Sequence, residues 1–204
     1  MNKLNSYFLK IRTFLTILNF YKWLKLGQCK KPIMLELGSG PKRGVNGWKT
    51  IDVIGSDIDW DLRRGIFLPK GSVHKLYSSH LLEHLDYKNL IKFIRECHRS
   101  LIEGGEFLVC VPNARLYLEA YVNNVNFREN NTLWPTAVCN SNSFIDQVNY
   151  IAYMGGQHKI MFDECNLVSF LLDCGFSEAK LRVFDPLLDS RDRDFESIYI
   201  VARK

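Results

Sequence analysis

The sequence predicts one α/β domain built on a mainly parallel, doubly wound sheet. From Pro32 onward, short apolar runs alternate with segments of helical character, which is the β–loop–α–β rhythm of such sheets with right-handed crossovers. A glycine-rich bend, Gly38-Ser39-Gly40, follows the first apolar run. The length of 204 residues allows one domain with a substantial core and is too short for two ordinary ones.

Four strands and one helix are predicted in the first half of this domain. The apolar run IMLEL is typical of a buried strand, and it ends at the glycine bend. KTIDV is a second strand, a short half-exposed strand follows it, and VHKLYSS is the fourth. The predicted bounds are Ile33–Leu37, Lys49–Val53, Ser56–Asp61 and Val73–Ser79 for the strands, and about Leu90–Leu101 for the helix.

The second half begins with a strongly apolar fifth strand, EFLVCVP, after a turn at Gly104-Gly105. Further along, an amphipathic helix is predicted, with Asp163 as its N-cap and Gly175 just past its end. Two more strands follow it. The predicted bounds are Glu106–Pro112, Asp163–Cys174, Lys180–Phe184 and Ser197–Arg203.

Two regions depart from this rhythm. An insertion at about 113–160 is rich in asparagine and aromatic residues and shows no clear period. Because it follows a strand's carboxyl end, we expect it to be functional.

Residues 1–30 form an N-terminal extension ahead of the domain at 31–204. Between Leu4 and Leu26 apolar side chains recur at helical spacing, with basic residues and no acid, which predicts an amphipathic helix.

Two interpretations of that helix are open. It packs on the domain or over its ligand cleft, or it lies on an anionic membrane surface through its basic and aromatic side chains. Its uninterrupted apolar part is shorter than the roughly 20 residues of a spanning helix. A small-residue cleavage site is missing as well, so a signal peptide is not predicted.

Composition and cysteine spacing narrow the functional classes. Hydrophobic residues make up 47% and charged residues 24%, the balance of a folded globular protein. The net charge of +5 is modest and does not by itself argue for nucleic acid. The six cysteines form no C-x-x-C pair and no Cys/His zinc pattern, so we expect reduced thiols, a cytoplasmic protein and no metal.

The most informative motif is Glu36-Leu37-Gly38-Ser39-Gly40-Pro41, directly after the first predicted strand. In open α/β sheets, ligands bind at the carboxyl ends of strands, where glycines let the backbone come close to them. A dinucleotide fingerprint reads G-x-G-x-x-G, whereas the glycines here stand at 38, 40 and 44. An acid before the first glycine suits a cationic ligand group better than a pyrophosphate.

From about Ile33 to Lys204 the chain resembles the class I S-adenosylmethionine-dependent methyltransferases, and more narrowly the small predicted methyltransferases of polysaccharide biosynthesis. The resemblance implies a Rossmann-like, seven-stranded sheet of order 3-2-1-4-5-7-6, with the last strand antiparallel and helices on both faces. The segments that carry it are LELGSGPKRGVNGWKTIDV, DIDWDL, LYSSHLLEHL, LIEGGEFLVCVPN, GGQHK, LLDCGF and ESIYIVARK.

The resemblance also implies the residues that bind S-adenosyl-L-methionine. The glycine bend would lie beneath the methionine and ribose portions. Asp52 would accept hydrogen bonds from the ribose hydroxyls, because a carboxylate is an acceptor at both oxygens. Asp61 would hold the adenine, and the residues after the fourth strand would border the sulfonium. The implied cofactor-binding residues are Glu36, Gly38, Ser39, Gly40, Asp52, Val53, Asp61, Leu62, Ser79 and His80.

The adenine position is open to a shift, because Asp57, Asp59 and Asp61 alternate along one short segment. This run also invites comparison with a cation site. It lacks the following glycine and the terminal glutamate of a calcium loop. We therefore expect no metal there.

Methyl transfer to a hydroxyl requires an acceptor held in line with the methyl group, and a general base assists it, most often histidine. His158, which closes the insertion, and His80 are the candidates. An equally open interpretation is that His158 only orders the GGQHK turn, and His84 is expected to cap or orient a helix. The predicted acceptor-binding residues are Asn113, Arg115, Gln157 and His158.

The resemblance favours O-methylation of a sugar hydroxyl in a glycan or its precursor. Another small metabolite, a protein side chain, or a non-catalytic protein of the same fold are the alternatives. The segment after the fourth strand lacks the Asp/Asn-Pro-Pro-Tyr/Phe motif of nucleic-acid base methyltransferases, so no nucleic-acid partner is expected. We expect a cytoplasmic protein, with peripheral contact to the inner face of a membrane left open.

Overall fold

A central sheet organises the chain in the computed structural model, which describes residues 17–127 and 141–204. Its strands run in the order β3-β2-β1-β4-β5-β7-β6, as predicted. Strands β1 to β5 are parallel, whereas β7 is antiparallel to both of its neighbours. The strands are β1 (Met34–Leu37), β2 (Trp48–Asp52), β3 (Ile58–Asp59), β4 (Val73–Ser79), β5 (Leu101–Pro112), β6 (Glu178–Leu181) and β7 (Ser197–Arg203).

The helices begin at side-chain caps where the sequence offers them. Asp86 accepts a hydrogen bond from the Asn89 amide at 2.9 Å, so the helix predicted from Leu90 already begins at Tyr87. Asp163 caps the later helix as predicted, in a reciprocal capping box with Asn166. The helices are α1 (described from residue 17 to 27), α2 (Tyr87–Ser100), α3 (Ala114–Val122), α4 (Ile145–Tyr153) and α5 (Glu164–Asp173).

Strands β1, β2 and β3 differ from the predicted bounds by one or two residues at an end, and β5 and β6 differ by more. Strand β5 begins at Leu101, which pairs with Val73 before the register between β4 and β5 shifts. The predicted turn at Gly104-Gly105 is therefore an irregularity inside a longer strand. Strand β6 lies earlier than predicted, at Glu178–Leu181, because it pairs with the end of β7 at Arg203.

The insertion at about 113–160 contains regular structure that its sequence did not indicate. Helices α3 and α4 have nine residues each, and they pack on each other through Tyr117 and Tyr150, whose ring centroids are 5.8 Å apart. They form a small apolar cluster separate from the main core. Residues 128–140, which include Cys139, lie outside the described residues.

The described end of α1 packs on the domain. Trp23 is fully buried and meets Trp60 edge-on, with ring centroids 6.1 Å apart. Lys22 Nζ donates to the carbonyl oxygen of Asp57 at 2.8 Å. These contacts favour the packed interpretation for residues 17–27, whereas residues 1–16 of the predicted amphipathic helix lie outside the described part. Within the described ranges, no helix is both long and apolar enough to cross a bilayer.

Candidate active site

The glycine bend after β1 is closed on one side and open on the other. Gly38 and Gly40 have φ angles of +74° and +69°, in the left-handed region that favours glycine. A Cβ atom at Gly38 would lie 2.8 Å from a methyl carbon of Leu81, whereas one at Gly40 would meet no atom within 4 Å. The bend therefore rests on Leu81 and leaves open space above Gly40.

Asp52, at the end of β2, holds this bend in place. Its Oδ2 accepts from the Gly40 amide at 2.8 Å, and its Oδ1 accepts from the Val53 amide at 2.5 Å. Each oxygen still has a lone pair for a further donor. Beside it, the side chains of Val53 and Ile54 are 65% and 71% exposed. An unused acceptor thus stands next to an exposed apolar surface.

The other polar groups of the bend have local partners. Glu36 Oε1 lies 2.6 Å from Lys42 Nζ, and the Ser39 hydroxyl donates to the Gly40 carbonyl oxygen at 2.9 Å. The Lys42 side chain is mostly exposed, and such surface ion pairs contribute little to stability. A cationic ligand group can therefore take the place of Lys42 at small cost.

The alternating acids in and beside β3 support the backbone around them. Asp57 accepts from the amides of Gly44 and Thr50, at 3.0 and 3.1 Å. Asp59 accepts from the Ser56 amide at 2.9 Å. Asp61 caps the short turn that begins at the buried Leu62.

Asp61 is also engaged by Arg63, which donates to both of its carboxylate oxygens. The hydrogen bond and charge of Arg63 lower the pKa of Asp61 below its ordinary value. Each of the three alternating acids thus has a structural role. The D-x-D-x-D pattern is explained by these backbone and side-chain contacts.

A cavity of about 200 Å³ lies at the carboxyl ends of β4 and β5. It is lined by the turn 80–84 after β4, by Pro112, by residues of 150–158, and by Arg193 and Glu196 ahead of β7. The cavity brings together three of the residues predicted from sequence. These are His80, Gln157 and His158.

Two predicted acceptor contacts, Asn113 and Arg115, do not line this cavity. Asn113 caps α3 by accepting from the Arg115 amide at 3.0 Å, and its Nδ2 donates to Glu164 at 2.8 Å. The Arg115 guanidinium lies 3.2 Å from a carboxylate oxygen of Glu164. Both residues join α3 to the start of α5. Ser79, predicted beside the sulfonium, ends β4 and pairs with Cys110 of β5.

The hydrogen-bond partners of His84 and His158 identify which ring nitrogen of each carries the hydrogen. His158 Nδ1 lies 2.8 Å from the Ile151 carbonyl oxygen, and His84 Nδ1 lies 3.3 Å from that of Gln157. A carbonyl oxygen only accepts, so each Nδ1 carries the hydrogen and each Nε2 keeps its lone pair. The two rings meet edge-on, with centroids 5.1 Å apart.

His80 is held in the opposite tautomer. The Ser197 hydroxyl donates its hydrogen to the Arg193 carbonyl oxygen at 2.6 Å, so His80 Nε2, which is 2.9 Å from that hydroxyl, must be the donor of their contact. His80 Nδ1 therefore has the lone pair. Burial lowers the pKa of His80 well below its ordinary value, and burial lowers that of His158 as well.

Glu83 is the residue whose importance sequence analysis missed. Its side chain is 2% exposed, and neither carboxylate oxygen has a hydrogen-bond partner. Burial raises the pKa of Glu83 to about 8. Its backbone carbonyl accepts from the Lys159 amide at 2.7 Å, which ties the turn to the insertion. The available signal was an acid inside the apolar run HLLEHL.

Comparison with known proteins supports the fold. A methyltransferase from Archaeoglobus fulgidus, described as SAM-dependent, superimposes with a TM-score of 0.53 at 15% identity, covering 97% of this chain and 99% of that one. The structure described as PigF with SAH gives 0.50 at 12% identity, covering 85% of this chain and 56% of that one. No protein-family model matches the sequence, and no curated protein matches it either.

Proposed function

We propose that this chain is an S-adenosylmethionine-dependent methyltransferase. The observation that carries the proposal is the open bend at Gly40, fixed by Asp52, next to a cavity lined by proton acceptors. The strand order reverses between β1 and β4, which is where ligands bind in open α/β sheets. The neighbours described as a SAM-dependent methyltransferase and as PigF with SAH support the same assignment.

The residues present fit the cofactor. The space above Gly40 admits the ligand, and the spare lone pairs of Asp52 suit two ribose hydroxyls. The exposed Val53 side chain offers an apolar surface, and Glu36 suits the positively charged amino group. Asp61 already accepts from Arg63 at both oxygens, so an adenine amino group there replaces part of that contact.

When bound, the cofactor supplies a methyl group on a positively charged sulfonium. The chain's own task is to hold an acceptor hydroxyl in line with that carbon and to take its proton. The oxygen–carbon bond forms as the sulfur–carbon bond breaks. Because burial lowers the pKa of His80 and His158, both imidazoles are neutral near pH 7, and either lone pair can accept the proton.

The acceptor is proposed to be a small hydroxylated group. The cavity of about 200 Å³ is smaller than the pockets of about 300–1,000 Å³ that enclose drug-sized ligands. A sugar of a glycan or its precursor is the first class to test, because the sequence resemblance favours it. Another small metabolite or a protein side chain is the alternative.

Calorimetric titration with S-adenosylhomocysteine tests cofactor binding. We expect Asp52→Asn to weaken binding by about 1–3 kcal/mol, or about five- to 150-fold, because a charge-assisted hydrogen bond to the ribose is lost. Asp173→Asn, an exposed acid at the end of α5, is the matched control and should bind like the wild type. If the wild type does not bind, a non-catalytic protein of the same fold replaces the proposal.

Methyl-labelled cofactor tests the acceptor. Incubation with nucleotide-linked sugars, lipid-linked sugars and a protein extract should place label in the carbohydrate fractions. Label that enters protein alone would exclude the sugar acceptor and favour the side-chain alternative.

A further inference from the structure

Glu83 differs from the other buried carboxylates near the sheet's carboxyl edge. Asp189, which is also buried, accepts from the Tyr77 hydroxyl and from Arg182. Glu83 is equally buried, yet neither of its oxygens accepts a hydrogen bond. Buried polar groups are almost always paired, so an unpaired carboxylate indicates a partner of another kind.

The nearest polar atoms to Glu83 are themselves acceptors. His80 Nδ1 lies 3.6 Å and His84 Nε2 lies 3.8 Å from Glu83 Oε1. Both nitrogens carry lone pairs, because the other nitrogen of each ring holds the hydrogen. The Nε2 of His158 also carries a lone pair, because its Nδ1 donates to the Ile151 carbonyl oxygen. When Glu83 is ionised, no hydrogen joins its carboxylate to these imidazole lone pairs.

We propose that Glu83, His84 and His158 bind a divalent first-row transition-metal ion such as Zn²⁺. One ligand atom from each side chain lies within 4.8 Å of the others. Ligands of a tetrahedral zinc ion stand about 3.3 Å apart for bonds of about 2.0–2.1 Å, so modest side-chain rotations assemble the site. His80 Nδ1 lies beside the same carboxylate oxygen and is not needed as a ligand, so its lone pair stays available to accept a proton, whereas that of His158 is occupied by the ion.

The donor set and its surroundings specify this class of ion. Two imidazoles with one carboxylate favour zinc, cobalt, nickel, iron or manganese over magnesium and calcium, which prefer oxygen alone. Metal-binding histidines typically donate their second nitrogen to a carbonyl or carboxylate. His84 and His158 both do so, to Gln157 and Ile151. The sequence predicts no metal, but contacts between residues far apart in the chain, such as His84 and Gln157, orient the histidines for one.

The charges around the cavity are compatible with a cation. Arg193 and Glu196 both line the cavity: the charge of Arg193 lowers the pKa of His80, His84 and His158 and so acts against a cation, whereas the charge of Glu196 acts in favour of one. Glu196 also accepts a hydrogen bond from the Tyr117 hydroxyl, which holds it in place. The carboxylate of Glu83 then remains as the charge facing the ion. The alternative to a bound metal ion is a single proton on the carboxylate of Glu83.

Three protein ligands leave coordination positions open toward the cavity, as in catalytic zinc sites. A hydroxyl coordinated there loses its proton more readily, because the ion lowers its pKa. This consequence rests on the proposed methyl transfer. Ion binding itself does not, and it is measured without cofactor or acceptor.

Titration of tag-free, chelator-treated protein with Zn²⁺ and Co²⁺ tests the site. We expect one ion per chain by calorimetry and visible absorption bands from bound Co²⁺. His158→Gln and Glu83→Gln should each weaken binding more than about tenfold. His98→Gln removes a histidine that contacts Phe176, outside the cavity, and should leave affinity unchanged.

Absence of binding by the wild type would overturn the proposal and leave a proton on Glu83. Binding that His158→Gln and the more exposed His84→Asn both leave unchanged would also overturn it. The S-adenosylhomocysteine titration separates the two proposals. Zinc binding without nucleoside binding would remove the methyltransferase and keep the metal site, and the reverse result would do the opposite.

Discussion

The two sides of the sheet use acidic side chains in opposite ways. On the side of β1 to β3, Asp52 accepts from the Gly40 amide and fixes the open bend, and Asp57 accepts from the Gly44 and Thr50 amides and holds the loop that follows the bend. Beyond β4, Glu83 accepts from nothing and faces imidazole lone pairs. The acids of the first side are fixed by hydrogen bonds within the chain, whereas Glu83 on the second side needs a proton or a metal ion to join it to the neighbouring histidines.

The largest expected effect tests whether the first side is a fixed frame. In Gly38→Ala, the new Cβ lies 2.8 Å from Leu81 at a φ of +74°. We expect the free energy of unfolding to fall by about 2–4 kcal/mol, from overpacking and the left-handed backbone together. Urea denaturation followed by circular dichroism measures the change.

Gly40→Ala is its matched control, because the φ is similar and no atom lies within 4 Å of the new Cβ. Only the backbone cost of about 1–2 kcal/mol is expected. Affinity for S-adenosylhomocysteine should fall as well, since the methyl group enters the space proposed for the ligand. Equal stability losses in the two variants would contradict the asymmetry of the bend.

A smaller effect, with a defined pH dependence, is expected at Asp57. Burial alone raises its pKa, but the amide hydrogen bonds from Thr50 and Gly44 outweigh burial and keep the pKa below the ordinary 3.8. The unfolded chain therefore binds this proton more readily, and the stabilisation is present above that pKa and lost as pH falls.

Asp57→Asn should accordingly cost about 1–3 kcal/mol at neutral pH, because the Gly44 and Thr50 amides both donate to the one oxygen Oδ2, and an amide oxygen in its place lacks the carboxylate charge that strengthens both hydrogen bonds. The difference from the wild type should shrink below about pH 3.8. Unfolding free energies of both proteins at neutral and acidic pH measure it. A difference that does not change with pH would show that the carboxylate charge has no part in holding the frame.

The smallest effect is expected at Arg115, outside both sides of the comparison. Arg115→Met removes exposed ion pairs with Asp163 and Glu164 and should cost roughly 0.2–1 kcal/mol in urea denaturation. Zinc affinity should be unchanged, since Arg115 does not line the cavity. A tenfold loss of methyl transfer in an Arg115→Met variant as stable as the wild type would instead indicate that Arg115 contacts the acceptor, as the sequence predicts.

The strands and helices could be predicted where a regular apolar pattern is bounded by capping or turn residues. Strands β4 and β7 have the predicted bounds, and both have buried side chains along most of their length. Helix α5 follows from its Asp163 cap and from Gly175 beyond its end. Helices α3 and α4 escaped prediction because their buried side chains, such as Tyr117 and Tyr150, pack on each other over too few turns to establish a period.

The residues of the candidate site also fall into two groups, those that the sequence predicts and those that it does not. The glycine bend could be predicted because Glu36, Gly38 and Gly40 are neighbours in the chain. Glu83 could not, since it stands among leucines and the cavity around it is completed by residues 150–158 and 193–196. No periodicity relates segments so far apart. The tautomers that define the cavity depend on backbone carbonyls that only the folded chain brings together.

The edge-on pair of Trp23 and Trp60 has a practical consequence. Trp60 directly precedes Asp61, and its indole donates to the Gly65 carbonyl oxygen at 2.8 Å. If a nucleoside binds beside Asp61 as proposed, we expect the surroundings of this indole, and so its fluorescence, to change. A fluorescence titration that compares the wild type with Trp60→Phe would then follow binding at this side of the sheet without a label.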